Sequence, residues 1–345
     1  MMQKNQESSK LKQMKDQVIV ITGASSGIGL VTARMAAAKG AKVVLAARNE
    51  SALRELADEL QQAGHEAIYV QADVGIEADV IRIAEAAQKH YGRFDTWVNN
   101  AGVTIYGNAM DVSDQDMKRL FATNFWGVVY GSRVAVHHFR ERGYMGALIN
   151  VGSVFGDRGT LVQSAYAPSK FAVHGWTESL RMEMEREGAP VSITLIHPGR
   201  VDTPYNEHAR SYQEYQPIHK GMMYPPEAVA EAILYAAANP KRDIYVGSQA
   251  KMLQFLGSNF PSLTDKVWEI VFPRTQYDKN RKSNRPEESN LYHAGYGMHE
   301  RGTNMGWKRR GSLFVKAAKH PVLTRILVAG LSGWAVANIL KRDED

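Results

Sequence analysis

The stretch "VIVITGASSGIG" (18–29) decides the fold. Its first half is a short β-branched run that stops at a glycine, as a strand buried in a parallel sheet does. Its second half spaces Gly23, Gly27 and Gly29 as G-x-x-x-G-x-G. This is not the G-x-G-x-x-G fingerprint, and no P-loop lysine follows. The physical demands are similar: a tight turn, close approach of backbone to a pyrophosphate, and a helix N-terminus aimed at the anion. A glycine-rich turn without a ligand is the plain alternative.

Working outward, "GLVTARMAAAKG" (29–40) reads as a helix and "KVVLAA" (42–47) as a second strand. The alternation continues with helices at 50–63 and 77–90 and strands "EAIYVQ" (66–71) and "FDTWVN" (94–99). Further strands fit "GALINV" (146–151), "VSITLI" (191–196) and "DIYVG" (243–247), with long helices at 114–142 and 165–187. Regular βα alternation predicts an α/β fold with a doubly wound parallel sheet, here over 17–250, whose ligands gather at the carboxyl ends of its strands.

The totals narrow the function. The 345 residues carry a net charge of +6, but from Arg274 onward there are 14 Lys/Arg against 7 Asp/Glu, and before it 28 against 29. A neutral body argues against a nucleic-acid-binding surface. The absence of cysteine excludes disulfides, thiolate catalysis and Cys-based zinc sites. Histidines are scattered without an H-E-x-x-H pattern, so no metal site is expected. Residues 1–16 form a polar leader with no apolar run, and a cytoplasmic body is expected.

The end of the second strand bears on the ligand. An NAD site usually has an acid there for the ribose hydroxyls. This chain has Ala46, Ala47 and Arg48, with no acid before Glu50. Arg48 can pair with a 2′-phosphate, which favours NADP(H) over NAD(H); a solvated loop arginine is the alternative.

With "NNAG" (99–102), Asn124, Ser153, "YAPSK" (166–170) and "PGRVDT" (198–203) following in order, the chain resembles the short-chain dehydrogenase/reductase family, in its single-domain branch with a C-terminal extension. The resemblance covers about 17–250. It implies that Tyr166 is the general acid/base and that Lys170 stabilises its phenolate and binds the nicotinamide ribose. It further implies that Ser153 hydrogen-bonds the reacting oxygen and that Asn124 holds a water leading from Lys170 to solvent. A free tyrosine, with a pKa of about 10, needs such a cation to work near neutrality. Thr22, Gly23, Ser25, Ser26, Gly27, Ile28 and Gly29 would hold the cofactor's phosphates. Asp73 and Asn100 would line its adenosine side, and Pro198, Gly199 and Thr203 would meet the nicotinamide carboxamide. The reaction implied is hydride transfer between NADP(H) and a carbonyl or alcohol. A cofactor-binding sensor or scaffold without turnover is the reading from another class. Family members are commonly dimers or tetramers, so a homo-oligomer is expected.

The remainder divides by composition. Residues 204–226, with Tyr205, Tyr212, Tyr215, Met222, Met223 and Tyr224, read as a mobile substrate lid suited to an apolar substrate. An amphipathic helical segment follows at 251–273, which extends the pocket, touches a membrane or covers the sheet edge. A basic flexible linker is expected at 274–312 and a hydrophobic helix at 313–345. That helix either associates with a membrane or packs on the body or a partner subunit.

Overall fold

In the computed structural model, which describes residues 10–320, a seven-stranded parallel sheet runs through the molecule. Its strands are β1 (Val18–Thr22), β2 (Lys42–Ala47), β3 (Ala67–Gln71), β4 (Thr96–Asn99), β5 (Gly146–Val151), β6 (Val191–Pro198) and β7 (Asp243–Val246). They lie in the order 3-2-1-4-5-6-7, on the runs expected of them. Every residue of β1 is buried, because successive side chains point to opposite faces and both faces are covered. Ile19 and Ile21 join one apolar cluster, while Val18 and Val20 join the other.

Helices α1 (Gly27–Ala38), α2 (Glu50–Gln62) and α7 (Pro226–Ala238) cover the first face. Alanines 33, 36 and 37 of α1 let it lie close against α7. Helices α3 (Glu77–Tyr91), α5 (Gly127–Arg142) and α6 (Tyr166–Glu187) cover the second face. The single helix expected over 114–142 is α4 (Asp114–Phe121) continued into α5 through one π-helical turn, Ala122–Trp126, which carries Asn124. Pro168 sits in the first turn of α6, where no helical hydrogen bond is lost.

Beyond β7 come α8 (Ser248–Asn259) and α9 (Pro261–Thr275), a helical pair broken at Pro261. They dock on the loop after β5: Arg158 donates to the Gly257 carbonyl (3.1 Å) and the Trp268 indole to Thr160 Oγ1 (2.7 Å). Phe272 is buried, whereas Phe255, Phe260, Leu263, Val267 and Ile270 remain exposed.

Residues 274–312, expected as a flexible linker, and 204–226, expected as a substrate lid, pair with each other. Tyr277–Lys282 pairs antiparallel with Tyr215–Pro217, and bridges join Lys220 to Met305 and Met223 to Lys308. Met223 and Tyr224 are buried, and Leu291 is fully enclosed among Val103, Ile105 and Leu120. Several backbone groups of the polar segment pair with neighbouring loops. The final described helix, α10 (Leu313–Lys319), buries Val315 near β7 and α7. The apolar stretch 321–340 and residues 1–9 lie outside the described residues. Among those described, no helix is long and apolar enough to cross a membrane.

A helical glycine shows how tightly the second face is packed. A Cβ at Gly131 would stand 2.2 Å from Asn99 Oδ1 and 2.6 Å from Trp97 Nε1. Those two atoms are hydrogen-bonded to each other, and Asn99 also donates to Asn150 (2.9 Å). Helix propensity alone would make Gly131→Ala stabilising by about 1 kcal/mol. The buried contact reverses the sign: urea unfolding should show a loss of about 1–3 kcal/mol.

Candidate active site

The sheet changes its winding direction between β1 and β4, and the main groove opens there, at the carboxyl ends of the strands. The first glycine turn forms its floor. Gly23 has φ +68°, and an added Cβ would lie 2.8 Å from the Ala101 Cα. At Gly29 a Cβ would lie 2.1 Å from the Gly23 carbonyl oxygen, so α1 can leave the turn at this angle only with glycine there. Thr22 Oγ1 accepts from the backbone N–H groups of Asn100 (3.0 Å) and Ala101 (3.1 Å), and Asn100 Nδ2 donates to the Thr22 carbonyl (2.9 Å). These bonds clamp the loop after β4 to the turn after β1.

Gly23, Ser25, Ser26, Gly27, Ile28, Arg48, Asp73, Asn100, Ser153, Tyr166, Lys170, Pro198, Gly199 and Thr203 all line this one groove. Thr22, Gly29 and Asn124 stand behind its surface and brace it. The Gly199 N–H donates to the Val246 carbonyl (2.9 Å), and the Thr203 methyl packs on Gly27. Asp73 accepts from the Gly75 N–H (2.9 Å) and forms an ion pair with Arg119. It is a turn residue three positions before Ile76, the N-cap of α3.

Tyr166 and Lys170 enter from the first turn and a half of α6, and Ser153 from the end of β5. Burial raises the Tyr166 pKa, while hydrogen bonds with the Tyr205 and Ser153 hydroxyls lower it part of the way back. Ser153 Oγ also accepts the Phe155 N–H (3.1 Å), so the serine both caps a short 3-10 turn and faces the tyrosine. Burial lowers the Lys170 pKa to about 8. Its ammonium donates to the Val151 carbonyl (2.8 Å) and lies 5.9 Å from the Tyr166 ring centre. The groups opposing the upward shift at Tyr166 are these two hydroxyls. Asn124 Oδ1 accepts from Val103 N–H (2.9 Å) and Nδ2 donates to Ser169 Oγ (3.1 Å), with Gly102 between this amide and Lys170.

Sequence reading missed two parts of the site. Tyr205 was read only as a lid residue; its ring meets that of Tyr166 edge-on at 5.8 Å. The other part is a buried chain of His174, Asp157, His197 and Asp243. Its signal was present in the i, i+4 spacing of Lys170 and His174, but His197 and Asp157 come from other strand ends. The donor atoms of Asp157, His174 and His197 lie within 4.8 Å of one another, a cluster the scattered histidines did not foretell. His174 Nδ1 bonds Asp157 (3.1 Å), while Nε2 accepts the Ser153 N–H (3.4 Å). Burial lowers the His174 pKa despite Asp157, in keeping with a neutral ring that needs one donor and one acceptor. His197 faces a carboxylate at each nitrogen, Asp157 at 3.3 Å and Asp243 at 3.2 Å. Burial works to lower its pKa, but the two hydrogen bonds prevail and raise it. Burial likewise works to raise the Asp157 pKa, and its two histidine partners bring it down well below the usual range.

The roof of the groove comes from the C-terminal segment. Asn290, Ala294, Gly295 and Tyr296 line it opposite Asp73 and Arg48. Arg48 donates to the Asn290 and Leu291 carbonyls, and burial lowers its pKa, with Asp73 opposing and Arg119 reinforcing.

Fold and groove together define a nucleotide-binding protein of the doubly wound class. The chain belongs to the short chain dehydrogenase family, whose model matches residues 17–214. It is 66% identical over 329 residues to the "Uncharacterized oxidoreductase YxnA" of Bacillus subtilis, covering 95% of this chain and 92% of that one. It is 31% identical over 275 residues to the "Putative oxidoreductase SadH" of Mycobacterium tuberculosis, covering 76% and 99%. Among solved structures, a short chain dehydrogenase/reductase from Burkholderia phymatum in complex with NAD superposes with a TM-score of 0.67 at 30% identity, covering 73% and 96%. The 3-ketoacyl-(acyl-carrier-protein) reductase from Brucella melitensis complexed with NADH gives 0.59 at 28%, covering 69% and 100%. The chain is an oxidoreductase of this family.

The histidine chain has a pH signature. Because the folded-state pKa of His197 is raised, its stabilisation is complete below the unfolded value of about 6.5 and is lost as pH rises through the folded value. Urea midpoints should therefore fall on the alkaline side in the wild type, and His197→Gln should lack this slope while being less stable at pH 6.

Proposed function

We propose that the protein transfers a hydride between NADP(H) and a carbonyl or alcohol, with Tyr166 as general acid/base. One observation carries this reading: the Tyr166 phenol, buried beside the Ser153 and Tyr205 hydroxyls and one helical turn from the Lys170 ammonium, faces the groove that starts at the glycine turn. The residues fit a dinucleotide. Gly23 and Gly29 admit backbone approach where a side chain would collide, and the N-terminus of α1 faces the place where a pyrophosphate would lie.

Bound nicotinamide supplies or accepts the hydride. The chain's residues handle the proton and the geometry. In reduction, Tyr166 gives its phenolic proton to the carbonyl oxygen as the carbon gains hydride; in oxidation the same atoms move in reverse. Ser153 holds the reacting oxygen by a hydrogen bond. Lys170 would stabilise phenolate and bind the nicotinamide ribose, and Asn124, held by Ser169 and Val103, would hold a water leading from Lys170 to solvent. Pro198, Gly199 and Thr203 would hold the carboxamide. Val154, Phe155 and Tyr205 around the far end of the groove support an apolar substrate. Arg48, at the end of a strand that offers no acid, supports NADP(H) as the cofactor.

Tryptophan-fluorescence titration with NADPH and NADH tests the cofactor. Losing a charge-assisted contact should weaken NADPH binding to Arg48→Ala by about 10–100-fold and NADH binding by much less. Equal affinity of the wild type for both would refute NADP(H) preference. Replacing the acid/base in Tyr166→Phe should lower kcat about 100- to 10,000-fold while NADPH binding persists. Loss of binding without loss of kcat would remove Tyr166 from the chemistry.

A further inference from the structure

We propose that residues 290–300 form a clasp over the adenosine half of the dinucleotide site, closing on the bound cofactor and setting the rate at which it leaves. The inference rests on the dinucleotide reading above. It goes beyond it by assigning a binding role to a segment outside the stretch matched by the family model, which ends at 214.

Three kinds of contact carry it. The first is to the glycine turn itself. The Met298 N–H donates to the Ser25 carbonyl (2.8 Å), and the Gly27 N–H donates to the His299 carbonyl (2.9 Å). Met298 has φ +63°, a conformation that a residue with a side chain rarely adopts, and the bonds of its own N–H and of the next carbonyl hold it there. The second contact is to the cation at the end of β2. Arg48 is held by the Asn290 and Leu291 carbonyls, and Asn49 Nδ2 donates to the Gly295 carbonyl (2.9 Å). A guanidinium has five N–H donors, so Arg48 can hold the clasp and a 2′-phosphate together. The third is packing: a Cβ on Gly297 would lie 2.1 Å from the Ala52 Cβ, so the clasp presses directly on α2.

The outer fastenings differ in kind. Glu300 pairs with Arg34 (2.6 Å), and Arg301 pairs with Glu227, all partly exposed. Exposed pairs of this sort hold weakly. A segment with specific inner contacts and weak outer ones is suited to opening for exchange and closing during turnover, and in many enzymes such a step limits product release.

The test uses the full chain. Hydrogen exchange of peptides spanning 290–300 is followed with and without saturating NADPH. The dissociation of NADPH is timed by stopped-flow chase with NADP+ in the wild type and in Gly297→Leu, which wedges the clasp from α2 without altering a groove-lining residue. The expected result is slower exchange on binding and NADPH release faster by about 10-fold or more in the variant, a tenfold change being 1.4 kcal/mol. Should Gly297→Leu not fold, the double variant Glu300→Gln/Arg301→Gln releases the outer fastenings instead, with the same direction expected. Exchange that is unchanged or accelerated by NADPH, or release rates equal in wild type and variant, overturns the clasp while leaving the cofactor reading intact. Binding of neither NADPH nor NADH overturns the cofactor reading, and the clasp with it.

Discussion

The close approach of α1 to the turn it grows from is the constraint on which the rest of the site depends. Gly29 stands so near the Gly23 carbonyl that a single methyl group would force them apart. That contact aims the helix N-terminus into the groove. Thr22 and Asn100 then lock the loop after β4 onto the same turn, so that two strand ends on either side of the switch point move as one body. The turn is thereby preformed where the winding reverses, while the Gly27 N–H at the start of α1 is taken by the His299 carbonyl.

The interior beside the groove holds several ionisable groups, and their burial is made tolerable by pairing. Lys170 gives up part of its basicity and keeps a backbone acceptor. Asp157 is held ionised between two histidines, one with each of its oxygens, and Asp243 closes the chain at the sheet edge. The loop carrying Ser153 is wrapped around His174: a Cβ at Gly152 or Gly156 would come within 2.4 Å of that ring. The histidine thus positions the serine through packing and through the Ser153 N–H, while its own protonation is set by burial and Asp157. The groups are coupled, and the position of one proton in this network is felt at the others.

The C-terminal segment shows the opposite economy. Its composition is that of a solvated linker, yet it lies across the opening of the groove and supplies its roof. Leu291 anchors it in the apolar cluster under that roof, and the strand Tyr277–Lys282 ties it to the loop that sequence reading took for a lid. Polar residues dominate because its partners are loop amides, carbonyls and charged side chains. A hydrophobic pattern was never required.

The alternation of strand and helix, the glycine turn, and the tyrosine and lysine one helical turn apart were determined by sequence alone, because each depends on local spacing along the chain. Asn124 was legible as a residue type, but not as the occupant of a π-helical turn. Which hydroxyls sit against Tyr166, that His174 meets Asp157 and His197, and that residues 290–300 cover Arg48 were decided only by the tertiary structure. These contacts join residues that are distant in sequence and lie on different elements. Their energies come from burial and mutual pairing, which no local pattern records.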